Sequence, residues 1–225
     1  MTNSVTNKLG RMLDDIWVDE AVFALRPDFA VLVMTAYDLR NGPTDDRSRA
    51  WLAAAAEQPV QTEKIDAWKD AYRAFGAKPQ KTRPSVDALT RRLPLPEINQ
   101  VVDAYNSISV KHALPIGGED LDRYVGPARL VRADGGEDSE EALGQPEPGE
   151  VIWRDDLGVT CRRWNWRQVA RTRLTEETTN AIFLLERLEP MSLEELKEAG
   201  EELANLLTEL SPEVRISTKV LSGGK

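Results

Sequence analysis

The ten residues Val159-Thr160-Cys161-Arg162-Arg163-Trp164-Asn165-Trp166-Arg167-Gln168 bring three arginines and two tryptophans together within residues 162–167. If this segment is a strand, its side chains alternate between two faces of a sheet. One face then carries Cys161, Arg163, Asn165 and Arg167, and the other carries Arg162, Trp164 and Trp166. Planar cations beside indole rings suit a site for a flat or anionic ligand. The alternative is a sheet whose tryptophans form core and whose arginines pair with surface carboxylates.

The residues on either side of this stretch predict a hairpin inside a fold that mixes helices and strands. Val151–Arg154 and Val159–Trp166 are predicted to pair through the turn at residues 155–158. Other strands are predicted from apolar runs, and helices from apolar side chains at helical spacing. The predicted strands are Ala21–Leu25, Phe29–Tyr37, Ala128–Ala133, Ala181–Leu188 and Val214–Leu221. The predicted helices are Thr44–Glu57, Thr62–Phe75, a short helix from Ser85, Glu97–Ser109 and Ser192–Leu210. The last of these is predicted to begin with a capping box formed by Ser192 and Glu195.

These elements predict one α+β domain, because strands and helices are segregated rather than strictly alternating. We expect mixed sheets flanked by helices over residues 19–225. Residues 1–18 are predicted to form an N-terminal tail that can be disordered. No extended linker divides the chain into two halves.

Composition narrows the classes of protein to which the chain can belong. The chain has 225 residues, of which 41% are hydrophobic, so a substantial buried core is expected. One cysteine, Cys161, permits no internal disulfide, and with one histidine, His112, it makes a metal site improbable. The sequence has no apolar run long enough to span a membrane and no signal peptide in its first residues. We therefore expect a cytoplasmic protein with no membrane partner, no metal and no cofactor.

Charge is distributed unevenly along the chain. The net charge of −9 argues against non-specific nucleic-acid binding through the whole surface. Residues 78–92 nevertheless contain five basic residues and the single acid Asp87, and residues 162–173 contain five arginines and no acid. A local basic surface is therefore predicted on an acidic body, with a solvated charged face as the alternative.

Two polar residues of the predicted helix Glu97–Ser109 are candidates for a site. Asp103 and Asn106 are three positions apart, so a helix presents them on one side. The alternative is a surface ridge or a cap to a neighbouring loop. His112 follows this helix and is interpreted as a helix-end histidine rather than a catalytic one.

Four collinear motifs resemble those of a known module. Pro96–Asn106 resembles the "INPVVDVTN" helix of the editing module, the B3/B4 domain, in phenylalanyl-tRNA synthetase β subunits. Further along the chain, Asp120–Arg123 with Gly126 resembles its "DLD" turn, and Leu130–Ala133 with Gly136-Glu137 resembles its "VRxAxxGE" strand and turn. Thr175–Asn180 with Leu184, Leu185 and Glu186 resembles its "TEETxNVLLE" segment. The resemblance covers about residues 83–189, and Lys78–Ser85 and Arg162–Arg167 are similar to segments of small free-standing B3/B4 proteins.

The resemblance implies a single B3/B4-like domain and a function. In the synthetase, the module binds a misattached tyrosine-like aminoacyl ester on the tRNA 3′ end and hydrolyses it. The first hypothesis is therefore a trans-acting aminoacyl-tRNA editing hydrolase, in which water attacks the ester. The second is a non-catalytic module that binds tRNA or an amino-acid-like ligand, and the third is a structural or partner-binding domain. The expected partner is a tRNA 3′ end or an aminoacyl-adenosine-like ligand.

The sequence departs from the editing pattern at two positions. Gly117 aligns with the histidine of the family's "GQPxHAFDLD" segment, and Gln168-Val169-Ala170 replaces the glutamate of its "GGE" turn. The catalytic residues therefore cannot be carried over one by one. Asp103, Asn106 and Arg163 are the catalytic candidates. The predicted substrate-binding residues are Arg83, Asn106, Arg163, Trp164, Asn165, Trp166, Arg167 and Thr178.

Overall fold

A computed structural model of the chain describes residues 13–224 and has an α+β fold, as the sequence predicts. Its α-helices in this range are α1 (Glu20–Leu25), α2 (Asp46–Ala56), α3 (Thr62–Ala74), α4 (Ser85–Thr90), α5 (Gln100–His112) and α6 (Leu193–Leu210). Its strands are β1 (Trp17–Val18), β2 (Ala30–Tyr37), β3 (Ile116–Asp120), β4 (Arg129–Arg132), β5 (Val151–Arg154), β6 (Val159–Arg162), β7 (Arg167–Gln168), β8 (Asn180–Arg187) and β9 (Arg215–Ser222). Short 3-10 helices lie at Leu121–Arg123 and Glu141–Leu143.

The strands of residues 13–224 form two sheets. One has the order β1-β4-β5-β6-β7, and the other has the order β3-β8-β2-β9. The first sheet is mixed, because β1 pairs parallel to β4 while the remaining pairs are antiparallel. In the second, β2 pairs antiparallel with both neighbours along its whole length. The last strand, β9, lies at an edge of this sheet.

Strand β2 separates two apolar cores. Val31 and Val33 face a core that also contains residues of β4, β5 and β6, so the two sheets pack on each other. Leu32 and Met34 face a second core shared with α5 and α6. This two-residue alternation is the pattern of a strand buried on both sides. The fold therefore has three layers, with the four-stranded sheet in the middle.

Helix α1 replaces a predicted strand. Ala21–Leu25 is apolar enough to read as a strand, but the strand prediction was wrong. Asp19 caps a helix here, and its carboxylate accepts a hydrogen bond from the Ala21 N–H (2.8 Å). Only Val22 is buried among the helical residues, so local capping rather than sheet pairing decides the structure of this segment.

Helix α5 begins three residues later than predicted. Asn99 is its N-cap and accepts a hydrogen bond from the Val102 N–H (3.0 Å), which leaves Glu97 and Ile98 outside the helix. Gly118 allows β3 to approach α5 closely, because a Cβ there would lie 2.8 Å from the Tyr105 ring. The predicted capping box of the last helix is confirmed: Ser192 and Glu195 exchange side chain to backbone hydrogen bonds.

The start of the described region is packed into the fold. Residues 1–12 of the predicted tail lie outside the described residues. Leu13 and Ile16 are buried, and β1 pairs with β4 through Trp17 and Val18. Between residues 13 and 224, no helix has the length and apolarity needed to cross a membrane.

Candidate functional site

The arginine- and tryptophan-rich stretch leaves strand β6 after Arg162 and becomes a strand again only at β7, Arg167–Gln168. The predicted strand over residues 159–166 is wrong beyond that point, because Arg163 (φ 48°) and Trp164 (φ 66°) adopt left-handed backbone conformations. The Trp164 N–H donates to the Val151 carbonyl (2.6 Å), and the Trp166 N–H donates to the Arg162 carbonyl (3.0 Å). A tight turn therefore replaces the predicted alternation of faces.

The turn sends its two indoles to different places. Trp164 is fully buried and packs edge-on against Trp68 (5.3 Å between ring centroids) and against Phe29 (5.1 Å). Trp166 is only partly buried, and the guanidinium groups of Arg163 and Arg167 lie over its ring at 4.6 and 5.0 Å. One tryptophan thus anchors the turn in the core, while the other lies between two cations.

A cavity of about 490 Å³ lies beside this turn. Side chains from β3, β5, β6 and β8 line it together with α5, the turn, and residues 81–92. The cavity is therefore enclosed by both sheets and by the segment that contains α4. Its volume falls in the range of small-molecule sites in proteins.

The rim of the cavity is basic. Three exposed cations line the cavity: Lys81, Arg92 and Arg167. None of them pairs with a carboxylate of residues 13–224. Arg83 also lines the cavity, and it donates a hydrogen bond to buried Asp87 (3.2 Å). Unpaired cations around an opening attract an anionic ligand.

The floor contains a buried hydrogen-bonded network centred on Glu186. Trp153 Nε1 donates to Glu186 Oε1 (2.8 Å), and Asn165 Nδ2 donates to Glu186 Oε2 (2.7 Å). The Tyr72 hydroxyl donates in turn to Asn165 Oδ1 (2.9 Å). Burial raises the pKa of Glu186 to about 8. The hydrogen bonds from Asn165 and Trp153 act in the opposite direction, and the charge of Glu119 raises the pKa further.

Glu119 is the second buried carboxyl group of the floor. Its Oε2 accepts a hydrogen bond from the Tyr124 hydroxyl (2.9 Å), whereas its Oε1 has no hydrogen-bond partner within residues 13–224. Burial raises the pKa of Glu119 to about 7, although the hydroxyls of Thr172, Tyr124 and Thr160 lower it. A carboxyl group with this pKa can exchange a proton near neutral pH.

The buried Cys161 thiol is kept unreactive by its surroundings in the cavity wall. Cys161 lines the cavity, and burial, followed by the charges of Glu119 and Glu186, raises the pKa of its thiol well above the usual value. A thiol is nucleophilic as the thiolate, so Cys161 is poorly suited to attack an ester.

The structure gathers most of the residues predicted for substrate binding. Arg83, Asn106, Trp164, Asn165, Trp166 and Arg167 all line the cavity. Arg163 lies on the same turn but lines a neighbouring cavity. The Asn106 side chain makes no hydrogen bond to residues 13–224, so its amide is available to a ligand.

Two predicted residues have structural contacts elsewhere. Asp103 is fully buried and accepts hydrogen bonds from the hydroxyls of Thr44 (2.6 Å) and Ser48 (2.9 Å). Thr178 is buried as well, and its hydroxyl donates to Asp120 (2.8 Å). Neither Asp103 nor Thr178 lines the cavity.

Sequence reasoning missed the two acids of the floor. Glu186 carried a usable signal, because it shares a strand face with Ile182 and Leu184 in an apolar run, where an unpaired acid is unusual. Glu119 follows two glycines that read as a turn, and nothing in its neighbours marks it as buried. Among the described residues, no group of three or more His, Cys, Asp or Glu side chains is arranged to hold a metal ion.

The fold is α+β and contains a cavity between its two sheets, and comparison with known proteins gives its family. A family model described as "B3/4 domain" matches residues 67–212, so the chain belongs to the B3/4 domain family. Among solved structures, it is similar to an N-terminal fragment of the phenylalanyl-tRNA synthetase β subunit from Pyrococcus horikoshii, with a TM-score of 0.45 and 14% identity. The match covers 89% of this chain and 49% of that fragment, so the chain spans about half of its length. A search of curated proteins gave no match.

Proposed function

We propose that this protein binds the aminoacylated 3′ end of a tRNA in the 490 Å³ cavity and hydrolyses its ester bond. One observation carries the proposal: a rim of unpaired cations surrounds a floor that contains the buried carboxyl group of Glu119. An aminoacyl ester of a terminal adenosine has matching chemistry, with phosphate at one end and an amine and ester at the other. Membership of the B3/4 family supports this class of ligand.

The rim and the turn provide the nucleotide contacts. Lys81, Arg92 and Arg167 are free to pair with phosphate, and the Arg guanidinium offers two parallel donors to phosphate oxygens. The partly exposed Trp166 indole positions the Arg167 guanidinium, which lies over its ring at 5.0 Å, for contact with the phosphate. The Asn106 amide supplies a donor for the ester carbonyl oxygen.

Hydrolysis requires a base for the attacking water. In the proposed step, Glu119 in its ionised form takes a proton from water as the water oxygen bonds to the ester carbonyl carbon. The bond from that carbon to the ribose oxygen then breaks, and the ribose oxygen takes the proton back from Glu119. A base with a pKa of about 7 is suited to both transfers at neutral pH. The Asn106 amide stabilises the developing oxyanion.

The experiment is a deacylation assay with a panel of mischarged tRNAs in the presence of this protein. We expect at least one ester to be hydrolysed well above the buffer rate. Arg167→Gln should weaken tRNA binding and reduce its salt dependence, because it removes a cation from the rim. Arg215→Gln is the matched control, since Arg215 pairs with Asp38 (2.7 Å) and does not line the cavity. Hydrolysis of no ester in the panel would overturn the catalytic part of the proposal.

A binding role without hydrolysis is the second candidate. Both carboxylate oxygens of Glu186 already accept hydrogen bonds, which suits a rigid recognition surface. The family's histidine and glutamate are replaced by Gly117 and by residues 168–170. This role is supported if a mischarged tRNA binds and survives at the buffer rate. With a tRNA ligand, either role would be carried out in the cytoplasm.

A further inference from the structure

A second cavity lies next to the first. It has a volume of about 500 Å³ and is bordered by the end of α3, by residues 76–82 and by residues 147–150. Lys81 lines both cavities. The two cavities also meet at the turn, because Arg163 of the second lies over the Trp166 ring of the first (4.6 Å). The two cavities therefore share part of their wall.

The charges of the second cavity favour an anion. Lys78, Lys81 and Arg163 line it, together with the acids Glu147 and Glu150. Glu150 is already paired: Arg162 binds its two carboxylate oxygens at 2.6 and 2.7 Å, and Arg163 Nε lies 3.7 Å from its Oε2. Lys78 and Lys81 have no carboxylate partner among residues 13–224. The cavity wall thus has two unpaired cations, Lys78 and Lys81, and a third cation, Arg163, that shares Glu150 with Arg162, against Glu147 as the one unpaired acid among its described lining residues.

The second cavity also has an apolar wall. Phe75 lines it and packs against Trp164 (6.3 Å between ring centroids) and Tyr72 (5.2 Å), which holds its ring in place. Pro148 lines the same cavity and is exposed. A fixed ring beside lysine and arginine side chains is the combination by which proteins bind a base and its phosphate in a single strand.

We propose that the second cavity binds the nucleotide that precedes the terminal adenosine of the tRNA. Lys81 and Arg163 bind the phosphate that links the two nucleotides, and the preceding base packs on Phe75. This inference rests on the proposed function, which assigns the terminal adenosine to the first cavity. It makes the substrate an oligonucleotide ester rather than a free aminoacyl nucleoside.

The test compares two non-hydrolysable probes on the full-length protein. One is 3′-tyrosylamido-3′-deoxyadenosine, and the other is the same compound extended at its 5′ oxygen by a cytidylate. We expect the extended probe to bind about tenfold more tightly, since one stacked base and one phosphate contact contribute on this scale. Calorimetric titration gives both affinities and their ratio.

Two variants test whether the second cavity causes the difference in affinity between the two probes. Lys78→Ala removes a cation that lines the second cavity and not the first, and Lys197→Ala, at an exposed position of α6, is its matched control. Arg163→Asn removes a guanidinium while keeping a residue type that tolerates the left-handed backbone. We expect both cavity variants to bring the ratio below about threefold, with the control at the wild-type ratio. Adenosine-probe binding should be unchanged in Lys78→Ala, because that side chain does not line the first cavity.

The outcomes separate this inference from the proposed function. Equal binding of both probes to the wild type, or a ratio that persists in both cavity variants, overturns the second subsite and leaves the first cavity as the adenosine site. Failure of both probes to bind overturns the proposed function and this inference together. Loss of adenosine-probe binding in Lys78→Ala also overturns the assignment, because that side chain lines the second cavity and not the first.

Discussion

Arg162 and Glu150 form a buried ion pair with two parallel hydrogen bonds, Nε to Oε1 at 2.6 Å and Nη2 to Oε2 at 2.7 Å. The two side chains are only 2% and 3% exposed. Glu150 Oε1 also accepts the Arg163 N–H (3.0 Å), so the same carboxylate holds the first residue of the left-handed turn. This pair therefore fixes the point at which β6 stops and the cavity wall begins.

Glu150→Gln should lower the free energy of unfolding by about 3–5 kcal/mol, because it leaves the Arg162 charge buried without a counter-charge. Urea denaturation followed by tryptophan fluorescence measures the change. Glu147→Gln is the control: this side chain is exposed three residues away, and its effect should stay within about 0.5 kcal/mol. Equal stability of the two variants would show that the ion pair does not hold the turn.

The variant Asp103→Asn tests whether Asp103 stabilises the fold or takes part in catalysis. The carboxylate accepts hydrogen bonds from Thr44, Ser48 and the Ile98 N–H (2.9 Å), which joins α5 to α2 and to the chain before α5. An amide cannot accept all three, so we expect a loss of about 1–3 kcal/mol in unfolding free energy. Thermal denaturation measures it.

For this variant, the hydrolysis rate per folded molecule should be unchanged. Asp46→Asn is the matched control, because its carboxylate is fully exposed and pairs only with exposed Arg49. Unchanged stability combined with lost hydrolysis would instead support the original prediction of Asp103 as a catalytic residue.

Cys161 should resist thiol reagents in the folded protein. Its side chain is buried, and burial raises the pKa of the thiol well above its usual value. Iodoacetamide at pH 8 should modify Cys161 only as the chain unfolds, so the labelled fraction should follow the urea unfolding curve. Mass spectrometry quantifies it, and rapid labelling without urea would contradict the burial of Cys161.

The sequence predicts the framework of this fold better than its turns. The buried strand β2 and the helix α6 were predicted because an apolar run and a capping box are local signals that the final structure keeps. The turn at Arg163 and Trp164 was missed because residues other than glycine seldom adopt the left-handed backbone conformation that it requires. Their left-handed backbone depends on Glu150, which lies 13 residues away from Arg163 along the chain.

The candidate site was predicted through its polar rim and missed at its floor. Arg83, Asn106 and Arg167 were found because clustered cations and a helical polar pair are visible in a linear sequence. Glu119 and Glu186 come together only when β3 pairs with β8, where Glu119 lies opposite Ile182. The position of an acid in a cavity floor depends on this pairing, which no local pattern encodes.

The free energy of unfolding should fall as pH rises from about 4.5 to about 8. In the folded chain the pKa values of Glu119 and Glu186 are raised to about 7 and about 8, from an ordinary value of 4.5. The folded state therefore binds more protons than the unfolded state in this window, and the contribution present below pH 4.5 is lost as pH passes these two values. The free energy of unfolding changes by up to about 1.4 kcal/mol per pH unit for each proton that the folded state binds and the unfolded state does not.

Denaturation at a series of pH values measures this slope. The double variant Glu119→Gln with Glu186→Gln should flatten it, because neither amide titrates. Glu176→Gln with Glu177→Gln, two exposed positions, should keep the wild-type slope. A wild-type stability that rises between pH 5 and pH 8 would contradict the assignment of raised pKa values to these carboxyl groups.

Glu119, the proposed base, should make ester hydrolysis depend on pH. After subtraction of the buffer rate, ester hydrolysis should rise with pH to about 7 and then level, because Glu119 accepts a proton only when ionised. Glu119→Gln should reduce the rate by about 10²–10⁴-fold while the affinity for 3′-tyrosylamido-3′-deoxyadenosine changes by less than about threefold. Glu177→Gln should retain the full rate and the same pH profile. A normal rate in Glu119→Gln would exclude this carboxylate as the base and leave the Glu186 network as the next group to test.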